Sequence, residues 1–128
     1  MRLLLDTHAL LWWFSDDNAL PASCRKLLGR PESTVFVSAV SAWEISTKFR
    51  LGKLPSALDL IQDFEGYLAR EGFNTLPLSS VQGVRAGLLP GPLKDPFDRM
   101  LIAQSQTEDL VLVSNEVVFD QYGVRRMW

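Results

Sequence analysis

The sequence predicts an α/β domain whose parallel sheet is covered by helices on both faces. Three observations carry this. The runs Leu3 to Leu5, Thr34 to Ser38 and Leu110 to Ser114 are apolar without alternation, as strands buried on both faces are. Segments of helical character stand between them, which is the βαβ pattern. The chain has 128 residues, 47% of them apolar and 22% charged, so residues 1–128 read as a single domain with a real core.

In chain order, Leu3 to Leu5 is a buried strand that stops at Asp6. Thr7 to Phe14 is a short apolar helix, and SDDN, from Ser15 to Asn18, is a loop. Pro21 opens a helix reaching about Arg30, and Pro31 breaks it. TVFVS is β-branched and aromatic, hence a strand. Ala39 to Leu51 is a helix stopped by Gly52. After Pro55 the stripe Leu58, Ile61, Phe64 and Leu68 predicts one long amphipathic helix running to Gly72. Phe73 to Leu76 is a weaker strand, and Ser79 to Leu89 a helix. Pro90 to Pro96 is the most loop-like stretch. Phe97 to Glu108 is a helix and LVLVS a buried strand. A helical turn at Glu116 to Gln121 and a short strand at Val124 to Trp128 complete the pattern.

Composition removes several function classes. With 13 basic and 15 acidic residues, the net charge of -2 excludes a strongly basic nucleic-acid coat, though not a local basic patch. One cysteine, Cys24, allows no intrachain disulfide and no CxxC motif. One histidine, His8, excludes an HExxH site. The longest apolar run, Ala9 to Phe14, is too short to span a bilayer, and MRLLLD meets an acid too early for a signal peptide. A cytoplasmic protein is the expectation.

Ligands of open parallel sheets sit beyond the carboxyl ends of the strands. There the sequence places Asp6 after the first strand, Glu44 in the helix after the second, and Glu116 shortly after LVLVS. Asp98 stands near the start of the helix that leads into that strand. Carboxylates gathered without matching bases repel unless a cation lies between them. Mg2+ and Mn2+ prefer such oxygen donors and act on phosphates, so the set reads as metal-dependent phosphodiester hydrolysis.

Each acid also has a structural reading. Asp6 can cap the following helix. Glu44 can pair with Lys48 one turn on. Asp95, Pro96 and Asp98 fit an N-cap, a first-turn proline and an N3 acid, which accounts for Asp95 and half accounts for Asp98. Glu116 can simply favour a helix N-terminus.

The segments LLLDTHALLWW, SAVSAWEISTKFRLGKL, DPFDRMLIAQS and LVLVSNEVVFDQYGVRRMW together resemble the PIN-domain nucleases, specifically the VapC-like toxins of bacterial toxin–antitoxin pairs. The resemblance spans nearly the whole chain. It implies a three-layer α/β/α sandwich with a central parallel sheet, a Mg2+- or Mn2+-dependent ribonuclease site, a homodimer and a VapB-like antitoxin partner. Carried over by motif, the four acids of the site fall on Asp6, Glu44, Asp98 and Glu116, with the Ser114 hydroxyl helping to hold them. The family pattern usually has Asp where Glu116 stands, one methylene shorter.

Among the remaining candidates, Lys48 and Arg99 each lie beside one of these acids and are the expected RNA phosphate contacts. No GxSxG elbow accompanies His8, so its expected role is at a helix start rather than in a triad. Cys24 is expected in the core. Adjacent Trp12 and Trp13 cannot both face inward from one helix, so one of them is expected at a partner surface or against another helix. A receiver or aspartate-nucleophile phosphatase is a poorer fit, because His8 stands where the phosphatase wants a second Asp. Two further functions are compatible with the same motifs: a catalytically weakened PIN-fold binding module, and an RNA-processing PIN nuclease outside a toxin–antitoxin pair.

Overall fold

The computed structural model describes residues 1–128. Its strands are β1 (Arg2–Leu5), β2 (Thr34–Ser38), β3 (Asn74–Leu76), β4 (Val111–Val113) and β5 (Arg126–Met127). Its α-helices are α1 (Thr7–Phe14), α2 (Ala22–Leu28), α3 (Ala39–Arg50), α4 (Leu58–Gln62), α5 (Phe64–Arg70), α6 (Ser80–Leu88) and α7 (Pro96–Glu108). Two 3-10 turns, Pro55–Ala57 and Val117–Tyr122, complete the elements.

All five strands are parallel, in the order β3-β2-β1-β4-β5. Side chains alternate between the two faces of a strand, and the register makes each layer continuous. Leu3 lies beside Val35 and Val111, and Leu5 beside Val37 and Val113. These six form one core with Leu10, Ile45, Leu60 and Leu68, beneath α1 to α5. Leu4 and Leu112 point the other way, onto Leu101 and Ile102 of α7 and onto Phe119. Helix α6 packs on α7. The result is the three-layer α/β/α sandwich expected from the sequence.

The long helix expected after Pro55 is instead three pieces. Asp63 leaves helical geometry at φ -148, ψ 64, and its side chain caps the amide of Gly66. A Cβ on Gly66 would run into that carboxylate, so a larger residue there would displace the cap. The break also rotates the apolar stripe. Leu60 and Leu68 are buried while Leu58 is 44% exposed. Periodicity alone continues the helix across Asp63 because a capping aspartate inside a hydrophobic stripe does not interrupt the pattern.

The strand order places β1 at the centre. The chain moves from β1 outward to β2 and β3, then crosses to β4 on the other side of β1. A crevice opens at such a switch point, at the carboxyl ends of the two strands. Asp6 leaves β1 there, its amide still bonded to the Val113 carbonyl at 3.0 Å.

Candidate active site

Asp6 is 3% exposed and opens α1. Its Oδ1 accepts from the Ala9 amide at 2.7 Å, so the capping role expected of it is realised. The Ser114 hydroxyl lies close to the carboxylate across the crevice. Burial pushes the Asp6 carboxyl above the usual carboxylate range, and the Ser114 hydroxyl and the Ala9 amide draw it part of the way back.

Glu44 sits on the buried side of α3 and is 4% exposed. Oε1 accepts from the Thr7 hydroxyl at 2.7 Å and Oε2 from the Lys48 ammonium at 2.5 Å. Thr7 and Ser41 share a further hydroxyl–hydroxyl bond of 3.0 Å. A hydroxyl has one proton to give and Glu44 only accepts, so Thr7 donates to Glu44 and takes its second bond from Ser41. The ion pair of Glu44 and Lys48 expected from their spacing is therefore present, and it partly neutralises the site.

Asp98 lies in the first turn of α7. Asp95 caps that helix, accepting from the amides of Phe97 at 2.9 Å and Asp98 at 3.2 Å. Asp98 makes no such bond, and its carboxyl is pushed up to about 7. Burial is the largest cause. The negative charges of Asp95, Glu44, Asp6 and Glu116 follow in that order. All four sequence-predicted acids thus share one electrostatic neighbourhood at the sheet edge.

Glu116 is exposed. It precedes the 3-10 turn Val117–Tyr122, and its side chain caps nothing. At that helix start the side chain can act only through its charge on the dipole, not through a capping bond. Its amide donates to the Ser114 hydroxyl at 3.0 Å, which folds the chain back toward Asp6.

Arg99 turns away from the crevice. Its guanidinium donates to the carbonyls of Ala86 at 2.9 Å, Leu93 at 2.7 Å, Leu89 at 2.5 Å and Gly87 at 3.4 Å. It closes the C-terminal end of α6 and holds the Pro90 to Pro96 loop, with one of its five N–H groups left over. This corrects the expectation that Arg99 serves phosphate. Lys48 is held by Glu44. His8 is exposed and stacks on Trp12, with ring centroids 5.6 Å apart. Cys24 is buried, as expected. Both tryptophans of α1 find partners within the chain. Trp12 also meets Trp128, and Trp13 packs on Phe73 while donating to Glu71 at 2.8 Å.

Thr7 and Ser41 join the site without having been expected there. Their signal is positional, since each is a hydroxyl one turn or less from a site acid on a helix that starts at the sheet edge.

The donor set is entirely oxygen, the set that hard divalent cations select. No three of the acids already stand as a ready group of ligands. Mg2+ keeps several waters and takes one or two carboxylates directly, so the arrangement fits such an ion.

A doubly wound parallel domain with an acidic crevice at its switch point defines a class. The family model described as the PIN domain matches residues 3–124, and the chain belongs to that family. Among solved structures the fold is similar to VapBC2 from Rickettsia felis bound to a DNA fragment from their promoter. The TM-score is 0.67 at 16% identity, over 99% of this chain and 98% of that one. It is also similar to VapBC-1 from nontypeable Haemophilus influenzae, with a TM-score of 0.67 at 17% identity over 99% and 97% of the two chains. FitAB bound to an IR36 DNA fragment gives a TM-score of 0.70 at 17% identity over 99% and 94%. No curated protein matches the chain. No helix is long and apolar enough to cross a membrane.

Proposed function

We propose that this chain is a Mg2+- or Mn2+-dependent endoribonuclease acting in the cytoplasm as the toxin of a toxin–antitoxin pair. The observation that carries the catalytic part is Asp98. Its carboxyl is raised to about 7 by burial and by four surrounding carboxylates, while Lys48 is the one cation bonded to any of the four proposed site acids. Such a site favours an added cation. The toxin role is supported by the solved relatives, which are VapBC and FitAB complexes. A VapB-like antitoxin is the implied partner.

Asp6, Glu44 and Asp98 would hold the ion, with Glu116 assisting. The ion supplies a water of lowered pKa and neutralises charge on the phosphate. The chain's own contribution is preorganisation. Thr7 and Lys48 fix Glu44, and the Ala9 amide fixes Asp6, before substrate arrives. The remaining acid, Asp98, must lose its proton to join the set.

The proposed homodimer is better served by α6 than by the tryptophans of α1. Val81 is 71%, Val84 63% and Leu88 79% exposed. Gly83 and Gly87 lie on the same short helix, and a Cβ at either would meet only open space. Two interior glycines cost a helix roughly 1 kcal/mol each, which close approach of a second helix would offset.

The test of the enzymatic reading is Asp6→Asn. Asparagine can still cap α1 but carries no charge. RNA cleavage in Mn2+ should fall by orders of magnitude while the melting temperature is kept. Full cleavage by the folded variant would sink the assignment, as would cleavage by the native protein in EDTA.

A further inference from the structure

Arg126 stands on β5, the edge strand, and bonds none of the four acids of the site. Its side chain is nevertheless only 19% exposed. The guanidinium makes three bonds with a defined division of labour. Nε donates to Asp120 Oδ1 at 2.8 Å and Nη2 to Asp120 Oδ2 at 3.0 Å, a two-pronged ion pair. Nη1 donates to the Ser114 carbonyl at 3.0 Å. Register explains the reach, because Arg126 is the β5 partner of Leu112 on β4, two residues before Ser114.

The three bonds span one short piece of chain. Ser114 directly follows β4 and is fully buried. Asp120 lies in the 3-10 turn that follows Glu116. Arg126 therefore grips both ends of the Ser114 to Asp120 segment from outside the crevice. Inside the crevice the same segment presents the Ser114 hydroxyl to Asp6 and carries Glu116. Glu116 has no side-chain bond of its own to fix it. Its position depends on how the segment is held.

We infer that Arg126, through its fork on Asp120 and its bond to the Ser114 carbonyl, is a positioning residue for the Ser114–Glu116 arm of the cation site. This inference rests on the metal-site reading above. It goes beyond a staple for the last strand, because a staple would affect stability alone. A partner one step removed from metal ligands sets their orientation, and its loss typically costs about 10- to 100-fold in metal affinity. Lysine keeps the charge but cannot form the fork.

The experiment is a Mn2+ titration of the whole purified chain, read by the electron paramagnetic resonance of free Mn2+, with a thermal melt of each sample. Arg126→Gln should weaken Mn2+ binding about tenfold, and Arg126→Lys should not restore it. Asp120→Asn, a milder change at a half-exposed carboxylate, should weaken binding in the same direction. Arg125→Gln removes the neighbouring exposed pair with Asp109 and should leave Mn2+ affinity unchanged. Native affinity in a folded Arg126→Gln, or in Asp120→Asn should the arginine variant not fold, overturns the inference while leaving the metal site standing. Failure of the native chain to bind Mn2+ at all would overturn both.

Discussion

The Thr7 hydroxyl donates to Glu44 Oε1 at 2.7 Å, and both residues are buried. Thr7 begins the helix after β1 and Glu44 lies in the helix after β2, so one hydrogen bond latches two elements and orients a site acid. Replacing Thr7 with Val keeps the shape and leaves a buried carboxylate oxygen without its donor. Such a loss costs about 1–3 kcal/mol, or a melting temperature lower by about 4 °C or more in a domain of this size. Thr7→Ser keeps the donor and should melt close to the native protein. Equal melting of the Val variant would show that the latch contributes nothing.

The raised Asp98 carboxyl makes a pH prediction with a definite sign. Its ordinary value is 3.8, and the fold holds it at about 7. Between these values the folded chain keeps a proton that the unfolded chain has released, so the contribution of Asp98 to stability is greatest below 3.8 and is lost as pH rises through about 7. Mn2+ needs the ionised form, so its affinity should climb over the same interval. Without metal, Asp98→Asn should flatten the pH dependence of the melting temperature between those limits. A native-like slope in that variant would assign the titration to another group.

Most of the fold is legible in the sequence because its three central strands are short and built on apolar runs. Leu3 to Leu5 and Thr34 to Ser38 can be placed almost to the residue. Convergence of Asp6, Glu44, Asp98 and Glu116 on one neighbourhood follows from the rule that parallel sheets present their carboxyl ends to ligands. What sequence does not show is where long polar side chains reach. Arg99 is adjacent to Asp98 in the chain, yet it bonds four carbonyls of another segment. Arg126 is far from Ser114 in sequence, yet bonds its carbonyl. The break at Asp63 is hidden for a related reason, since a local cap competes with the helix without disturbing hydrophobic spacing.

The α6 face gives a prediction about assembly. Val84 and Leu88 are exposed and lie one turn apart. Single scattered apolar residues need no explanation, but several on one short helix beside two open glycines do. Two-fold pairing of identical patches is the commonest solution. Leu88→Glu should convert a sedimenting dimer to monomer at micromolar concentration with little change in melting temperature below the dimer's own contribution. A native chain that sediments only as monomer would contradict the pairing.

Glu116 separates the proposed metal role from a purely structural one. It stands where the family pattern usually has Asp, and it caps no helix. If it assists the ion, Glu116→Gln should weaken Mn2+ binding and slow cleavage, though less than Asp6→Asn does. Asp6 is buried and held by the Ala9 amide, whereas Glu116 is exposed, longer and free to act through a water. Glu116→Asp should preserve or raise activity. Should the carboxylate serve only the dipole of the 3-10 turn, Gln would cost about 0.3–1 kcal/mol of stability and leave cleavage alone. Cleavage across a Mn2+ titration, with melts of the same samples, distinguishes the two. A native metal dependence in the Gln variant would remove Glu116 from the site and leave the ion to Asp6, Glu44 and Asp98.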